Sequence, residues 1–310
     1  MKDVSIDVIL PFHRRDIFLE RALNSVKQSV GVRTNLILID DRPEYEELSF
    51  ATTVRTGGLG YASAINASRP FLRSKFCALM NSDDLVHPER FMKQVAALQK
   101  SGKNISVTRM RKFKNSNFPI FMLGGNPRFD KFKKEVQLIT SFYSNASWLM
   151  STDYWTSIGD IEDFGDGSDW AWGVKLFDKT DPFIHPEVLY FYRSHKNQTT
   201  KSENTLDPQL AAIWGELNSS LGLPELPSFV GINMALPGSK INLEAELDQI
   251  LIWTREFKSR YPELEQLLAL RLVALLYYAG EFKLIRRFPF IYQYLPKLSS
   301  MYAFNKIVGS

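Results

Sequence analysis

The chain has 310 residues, 45% hydrophobic and 23% charged, with a formal net charge of +4. These values fit one large globular domain, or one domain with a smaller appendage, and are long enough to bury a substantial core. They argue against a nucleic-acid partner, and no stretch approaches the ~20 apolar residues of a membrane span.

Ser5–Leu10 is a short β-type run closed by Pro11. The start MKDVSIDVILPF, interrupted by Asp7, does not resemble a signal peptide. Asp16 can cap a helix whose apolar face is Leu19, Ala22, Leu23, Val26 and Val30, ending at Gly31. Asn35–Ile39 is a second apolar run, and it stops at Asp40-Asp41. Strand, helix and strand at this spacing predict a βαβ unit with a parallel pair.

Arg55–Ser68, RTGGLGYASAINAS, opens with three glycines and continues with small residues at helical spacing. A glycine turn before a helix can admit a phosphate. This spacing matches neither the P-loop nor the dinucleotide fingerprint, and a tight turn before a closely packed helix accounts for each glycine separately. No G-x-G-x-x-G follows the first strand, which disfavours a Rossmann dehydrogenase. A nucleotidyltransferase is disfavoured too, since Pro11-Phe12-His13-Arg14-Arg15 contains basic residues but no glycine.

The stretch Lys75–Arg90, KFCALMNSDDLVHPER, organises the chain. Phe76–Met80 reads as a buried strand. It ends at Asn81-Ser82-Asp83-Asp84 and is followed by a helix with Pro88 at its first position and Phe91, Met92, Val95 and Leu98 on its apolar face. Open α/β sheets bind ligands at the carboxyl ends of their strands. Adjacent carboxylates there suit a magnesium or manganese ion whose other positions are filled by phosphate oxygens and water. A solvated turn with a capping Asp explains the same residues equally well.

Ile105–Met110 reads as a strand, and Arg109–Lys134 as a loop with eight basic residues and one acid, Asp130. Such a loop is a solvated surface or, less simply, a cradle for an anionic acceptor. Leu138–Leu149 reads as further strand. In Asp160–Phe177, Asp166 and Asp169 occupy a glycine-broken turn before a helix marked by Trp170, Val174 and Phe177. An acid at a helix start is electrostatically favourable, and it can also serve as a general base. Pro186–Tyr192 is β-type and leads to Arg193-Ser194-His195. Helices are expected at Gln209–Leu221, Leu243–Arg260 and Pro262–Tyr278, with a Pro/Gly-rich loop at Gly222–Gly238. The domain boundary falls near Lys201–Thr205, giving a catalytic part at 1–204 and a helical part at 205–310.

VILPFHR (Val8–Arg14), LILIDD (Leu36–Asp41), GGLGYASAIN (Gly57–Asn66), NSDD (Asn81–Asp84), GSDWAWGVKL (Gly167–Leu176) and FYRSH (Phe191–His195) stand in a fixed order. In that order they resemble the GT-A-fold inverting glycosyltransferases of family two, which serve bacterial polysaccharide synthesis. The resemblance covers roughly Val4–Thr200. It implies an α/β fold, with a GT-A-type, Rossmann-like mixed sheet flanked by helices and a smaller helical C-terminal region. It also implies a nucleotide-sugar donor, by family habit a UDP-sugar, a Mn2+ or Mg2+ cofactor, and a saccharide or lipid-linked saccharide acceptor.

The implied roles follow the motifs. Pro11 and Phe12 line the nucleotide pocket, Asp40 or Asp41 binds base or ribose, and the segment containing Gly58 and Asn66 passes the nucleotide. Asp84 matches the last acid of the family's D-x-D-like metal motif, supported by Asp83, with Ser82 in the first place. Asp169 matches the catalytic base. Ser168 replaces the Glu that usually precedes it, so Asp166 stays an alternative. His195 matches a His that touches metal or diphosphate in some members. The competing reading is a GT-A-fold carbohydrate-binding or scaffold subunit without activity.

Cys77 is the only cysteine, which fits a reducing, cytoplasmic setting and leaves the sequons at Asn66, Asn145, Asn197 and Asn218 without a role. Residues 281–310 carry five basic residues and one acid, equal to the whole net charge, among several aromatics. That mixture suits peripheral contact with an anionic membrane, or packing against the catalytic part or a second subunit, so a homodimer is open.

Overall fold

The computed structural model describes residues 4–42, 51–113, 119–123, 129–165, 167–195, 207–236 and 241–294. The chain forms two compact units, the first from residues 1–127 and 143–195, the second from 128–142 and 196–310.

The first unit is a mixed sheet flanked by helices. Its strands are β1 (Ser5–Phe12), β2 (Arg33–Asp40), β3 (Thr52–Arg55), β4 (Phe76–Leu79), β5 (Leu85–Val86), β6 (Ile105–Phe113), β7 (Pro119–Leu123), β8 (Leu149–Ser151) and β9 (Phe183–Arg193). They run in the order β3-β2-β1-β4-β8-β6-β9-β5, with β7 added to β6. β1 is parallel to β2 and β4, and β2 is parallel to β3. β8 lies antiparallel between β4 and β6. The chain winds outward from β1 through β2 and β3, then returns to β1's other side with β4. In open α/β sheets such a reversal marks where ligands bind, here the carboxyl ends of β1 and β4.

The βαβ unit forms as its pattern predicts. α1 (Ile17–Lys27) starts at Asp16, whose Oδ1 accepts from Phe18 N and Leu19 N, and it buries Leu19, Ala22, Leu23 and Val26. These side chains join Val8, Leu10, Leu38, Ala78 and Met80 in the core, together with Phe91, Val95 and Leu98 of α3 (Arg90–Ser101). Each of the Val, Leu, Met and Phe side chains contributes about 1.5–3 kcal/mol by leaving water. α2 (Tyr61–Ala67) follows the glycine turn. α5 (Thr152–Ser157) and α6 (Ser168–Lys179) complete this unit's α-helices among the described residues.

Several local expectations change. Pro88 precedes α3 rather than opening it, because Arg90 N bonds His87 O and Glu89 is the cap. The basic stretch after Arg109 is partly sheet, since β6 runs on to Phe113 and pairs with β7. Leu138–Leu149 is not a strand. Ser147 N and Trp148 N close tight turns onto Ser144 O and Asn145 O, and Ser147 Oγ also bonds Ser144 O. These local bonds replace a ladder, and only Leu149–Ser151 pairs as β8.

The second unit is helical: α4 (Lys133–Gln137), α7 (Pro208–Ser220), α8 (Ser228–Ala235), α9 (Leu247–Arg260) and α10 (Glu265–Tyr278), followed by 3-10 turns at Phe282–Arg287 and Pro289–Gln293. α8 lies inside the stretch expected to be loop. Trp214 and Trp253 centre this unit, with their indole N–H groups donating to Leu138 O (2.9 Å) and Asn218 Oδ1 (2.7 Å). Among the described residues no helix is long and apolar enough to cross a membrane.

Candidate functional site

The candidate residues of the first unit collect at the carboxyl ends of β1, β2 and β4, and at the start of α6. Pro11 and Phe12 end β1 and are buried. Asp40 ends β2, and its two oxygens take Arg42 Nε (2.8 Å) and Nη2 (2.7 Å). Burial opposes ionisation of Asp40, yet the bonds and charge of Arg42 outweigh it and hold the carboxyl below its ordinary range. The Arg42 guanidinium lies 5.4 Å from the Phe12 ring centroid. Asp41 serves the glycine turn. Its Oδ1 accepts from Thr56 Oγ1 (2.5 Å) and Gly58 N (3.0 Å), and its Oδ2 from Gly60 N (3.1 Å). Gly57, Gly58 and Gly60 all have positive φ, so the turn requires glycine, and Asp41 locks it.

Asp83 and Asp84 diverge. Asp84 is fully buried. Its Oδ1 accepts from Arg193 N (2.7 Å), and its Oδ2 from Tyr190 Oη (2.7 Å) and Asn81 Nδ2 (3.1 Å). Burial and the neighbouring Asp83 push its carboxyl up, and these three donors work against that rise. Asp83 keeps 26% of its side chain exposed, and its Oδ2 lies 2.8 Å from His195 Nε2. The backbone carbonyl of Asp83 accepts from Arg193 Nε (2.7 Å), while the Arg193 guanidinium sits between the Phe18 and Phe113 rings. The cation-facing role expected of Asp84 is therefore geometrically available to Asp83.

A buried support lies behind this turn. Arg90 stacks 4.9 Å from the Tyr190 ring centroid and donates through Nη2 to the carbonyls of Leu79, Ala146 and Trp148. Burial lowers the Arg90 pKa to about 10, with Tyr190 and Asp84 partly countering it.

Asp169 stands in the first turn of α6, half-buried, with Oδ1 accepting from Trp170 N (2.8 Å). Asp166 lies outside the described residues. Asn66 bonds the Ile161 backbone at both amide atoms, Nδ2 to O (2.8 Å) and Oδ1 from N (2.9 Å), so it anchors the segment leading to α6. Tyr61 opens α2, and its hydroxyl accepts from Asn145 Nδ2 (2.9 Å). Burial raises its phenol pKa, and the charges of Asp169, Asp84 and Asp83 add to that, so the field of both clusters reaches it. Sequence reasoning passed over Tyr61, Asn145, Tyr190 and Arg193. A lone Tyr or Asn carries no spacing signal, and Tyr190 and Arg193 reach the site only because β9 pairs with β5 beside Asp84.

No group of three or more His, Cys, Asp or Glu gathers for a metal among the described residues. One carboxylate and one imidazole suit a manganese-type ion that takes its remaining ligands from phosphate and water. A cleft of about 380 Å3 lies apart from these residues, lined in part by Tyr154, Trp172 and Lys175.

Residues 7–157 match the family model for glycosyl transferase family 2. The chain carries a family 2 glycosyltransferase domain. No curated protein matches it in sequence. In fold, the chain is similar to S. aureus TarS 1–349 solved with UDP-GlcNAc, at TM-score 0.58 and 12% identity, covering 93% of this chain and 92% of that one. It is also similar to TarS 1–349 solved with UDP, at TM-score 0.51 and 13% identity, with the same coverage. The GT-A-type mixed sheet expected from the motifs is the fold observed.

Proposed function

We propose that this glycosyltransferase moves a sugar, with inversion, from a nucleoside-diphosphate donor to a hydroxyl of a saccharide or lipid-linked saccharide in bacterial polysaccharide synthesis. The observation that carries the reading is the separation of two acidic groups across one site. Asp83 with His195 ends one cluster, and Asp169 opens α6 on another element. A UDP-linked donor is favoured by the family and by the ligands of the TarS structures.

Asp83 and His195 would hold a Mn2+ or Mg2+ ion, which supplies Lewis acidity to the departing diphosphate. Asp84 does not face that site. It fixes the turn through Tyr190, Asn81 and Arg193, and so presents Asp83. Asp169 would take the proton of the incoming hydroxyl, a role that contributes ~100- to 10,000-fold. Displacement at the anomeric carbon in one step inverts it, through an oxocarbenium-like state. Arg42, held by Asp40 and lying against the Phe12 ring, is the group offered to base and ribose.

The second unit adds a membrane-facing end. Tyr277, Tyr278, Phe282 and Tyr292 are exposed, and Arg286 and Arg287 are exposed among them. Lys283 is shared with Glu244 at 3.7 Å. Aromatic and basic groups together suit an anionic lipid interface.

The test is UDP binding by calorimetry, with and without Mn2+. Wild type binds UDP only with metal, and Asp83→Asn weakens that binding at least tenfold. Asp169→Asn keeps UDP binding and loses transfer by ~100- to 10,000-fold. Absence of nucleotide binding under every metal condition would sink the reading and leave the scaffold role.

A further inference from the structure

We infer that Tyr61, held by Asn145, is the protein's hydrogen-bond donor to a hydroxyl of the transferred sugar. The inference rests on the glycosyltransferase reading and names a sugar-contacting residue within that site.

Tyr61 is placed by three independent constraints. It is the first residue of α2, directly after the glycine turn that Asp41 locks through Thr56, Gly58 and Gly60. One turn further on, Asn66 ties the same helix to Ile161, at the start of the segment that delivers Asp169. From the other side, Asn145 is buried in the tight turn before β8, and its Nδ2 donates to the Tyr61 hydroxyl at 2.9 Å. The ring is therefore fixed relative to the glycine turn, the Asn145 turn and the segment that leads to α6.

The direction of the hydrogen bond decides the chemistry. Asn145 Nδ2 is a donor, so Tyr61 Oη accepts from it. The hydroxyl proton is then left over, and it finds no acceptor among the described residues. A half-buried O–H with no protein acceptor can donate to a ligand oxygen. The group lies in the field of Asp169, Asp84 and Asp83. A cationic side chain in that place would compete with a metal ion for the carboxylates. A neutral phenol can donate without adding charge, and what it suits is an uncharged oxygen. Within the field of a diphosphate-holding cluster and a base, the uncharged oxygens are those of the donor sugar and of the incoming hydroxyl; the base engages the incoming hydroxyl, which leaves the donor sugar for Tyr61. A site built to hydrogen-bond a substrate hydroxyl discriminates strongly against a substrate that presents it wrongly. Tyr61 therefore acts in the choice of sugar, not in nucleotide binding.

The experiment compares wild type and Tyr61→Phe, which deletes one oxygen and keeps the ring. UDP release from UDP-glucose, UDP-galactose, UDP-GlcNAc and UDP-GalNAc is followed with Mn2+, water serving as acceptor. UDP affinity and Tm are measured on the same preparations. The expected result is a 10- to 100-fold loss of kcat/KM on the best donor, a flatter preference among the four donors, and unchanged UDP affinity and Tm. Asn145→Leu, which removes the amide that orients the hydroxyl, moves preference the same way. Unchanged kcat/KM and preference in a Tyr61→Phe protein whose wild type turns over would overturn the inference alone. So would a parallel loss of UDP affinity, since that places Tyr61 at the nucleotide. A wild type that neither binds UDP nor releases it from any donor overturns the glycosyltransferase reading and this inference with it.

Discussion

Asp83 and Asp84 are neighbours in the chain and opposites in environment. Asp84 has no exposed surface and three internal donors, whereas Asp83 reaches solvent beside His195. Both lie in the turn between β4 and β5, where each side chain's direction follows its own hydrogen bonds rather than a strand's alternation. His185 shows a similar dependence on surroundings. It is buried on β9, and its Nδ1 accepts from Glu187 N at 3.3 Å, which only the neutral ring can do. Burial lowers its pKa below the ordinary 6.5, Glu187 opposing and Lys93 assisting. A depressed folded-state pKa means that the unfolded chain takes up the proton first. The stability concerned is present above about pH 6.5 and is lost as pH falls through the folded-state value. Urea denaturation at pH 7.5 and at steps down to 5 should show a falling stability whose slope is reduced in His185→Gln, by up to about 1.4 kcal/mol per pH unit. Parallel slopes in the two proteins would remove His185 as the cause.

At the scale of elements, α8 is instructive. Its sequence, SFVGINMA, sits between a proline-rich approach and Pro237-Gly238, and the local signals read as loop. The structure uses Gly231 as a place of contact rather than a break. A Cβ there would fall 2.3–2.4 Å from three atoms of the Trp214 indole. The α7–α8 crossing exists at this closeness only because Gly231 lacks a side chain. Trp214 is fully buried and bonded through its indole N–H to Leu138 O, so the ring cannot retreat cheaply. Gly231→Ala gains some helix propensity but overpacks the crossing, and a net loss of about 1–3 kcal/mol is expected. Thermal unfolding measures it, and a Tm equal to or above wild type would show that the crossing can open without cost. The sheet shows the opposite behaviour. β1, β2 and β4 contain the apolar runs Val8–Leu10, Ile37–Ile39 and Phe76–Leu79, buried on both faces, and each strand forms where its run lies. β3 and β5 were missed because strands of four and two residues carry too few side chains to show a period.

Across the whole molecule, charge is unevenly spread. Residues 281–310 hold five basic residues against Glu281, which equals the net +4 of the entire chain. Glu281 itself accepts from Leu243 N through Oε1, so that acid is turned toward its own unit. Lys297, Tyr302, Phe304 and Lys306 lie outside the described residues. If this end meets anionic lipid, full-length protein should sediment with phosphatidylglycerol vesicles and far less with phosphatidylcholine, and added salt should release it. Arg286→Glu/Arg287→Glu should reduce the bound fraction severalfold. Equal partition of the variant and wild type on both vesicle types would remove the membrane role.

The sequence alone determined the order of motifs, the βαβ start, the long helices and the family. These depend on local periodicity and on residues close together in the chain, which propensity and pattern can register. It also marked both acidic clusters, because an abrupt stop of an apolar run at Asp83-Asp84 is a local event. Only the tertiary structure decided which carboxylate is spent inward. Asp84 turns to Tyr190 and Arg193, more than a hundred residues away, and Asn66 turns to Ile161, ninety-five residues on. Tertiary packing likewise brought Tyr61 to Asn145 and drew residues 128–142 into the second unit. Hydrogen-bond partners at such separations follow from strand pairing and helix packing, and no local pattern of residue types encodes them.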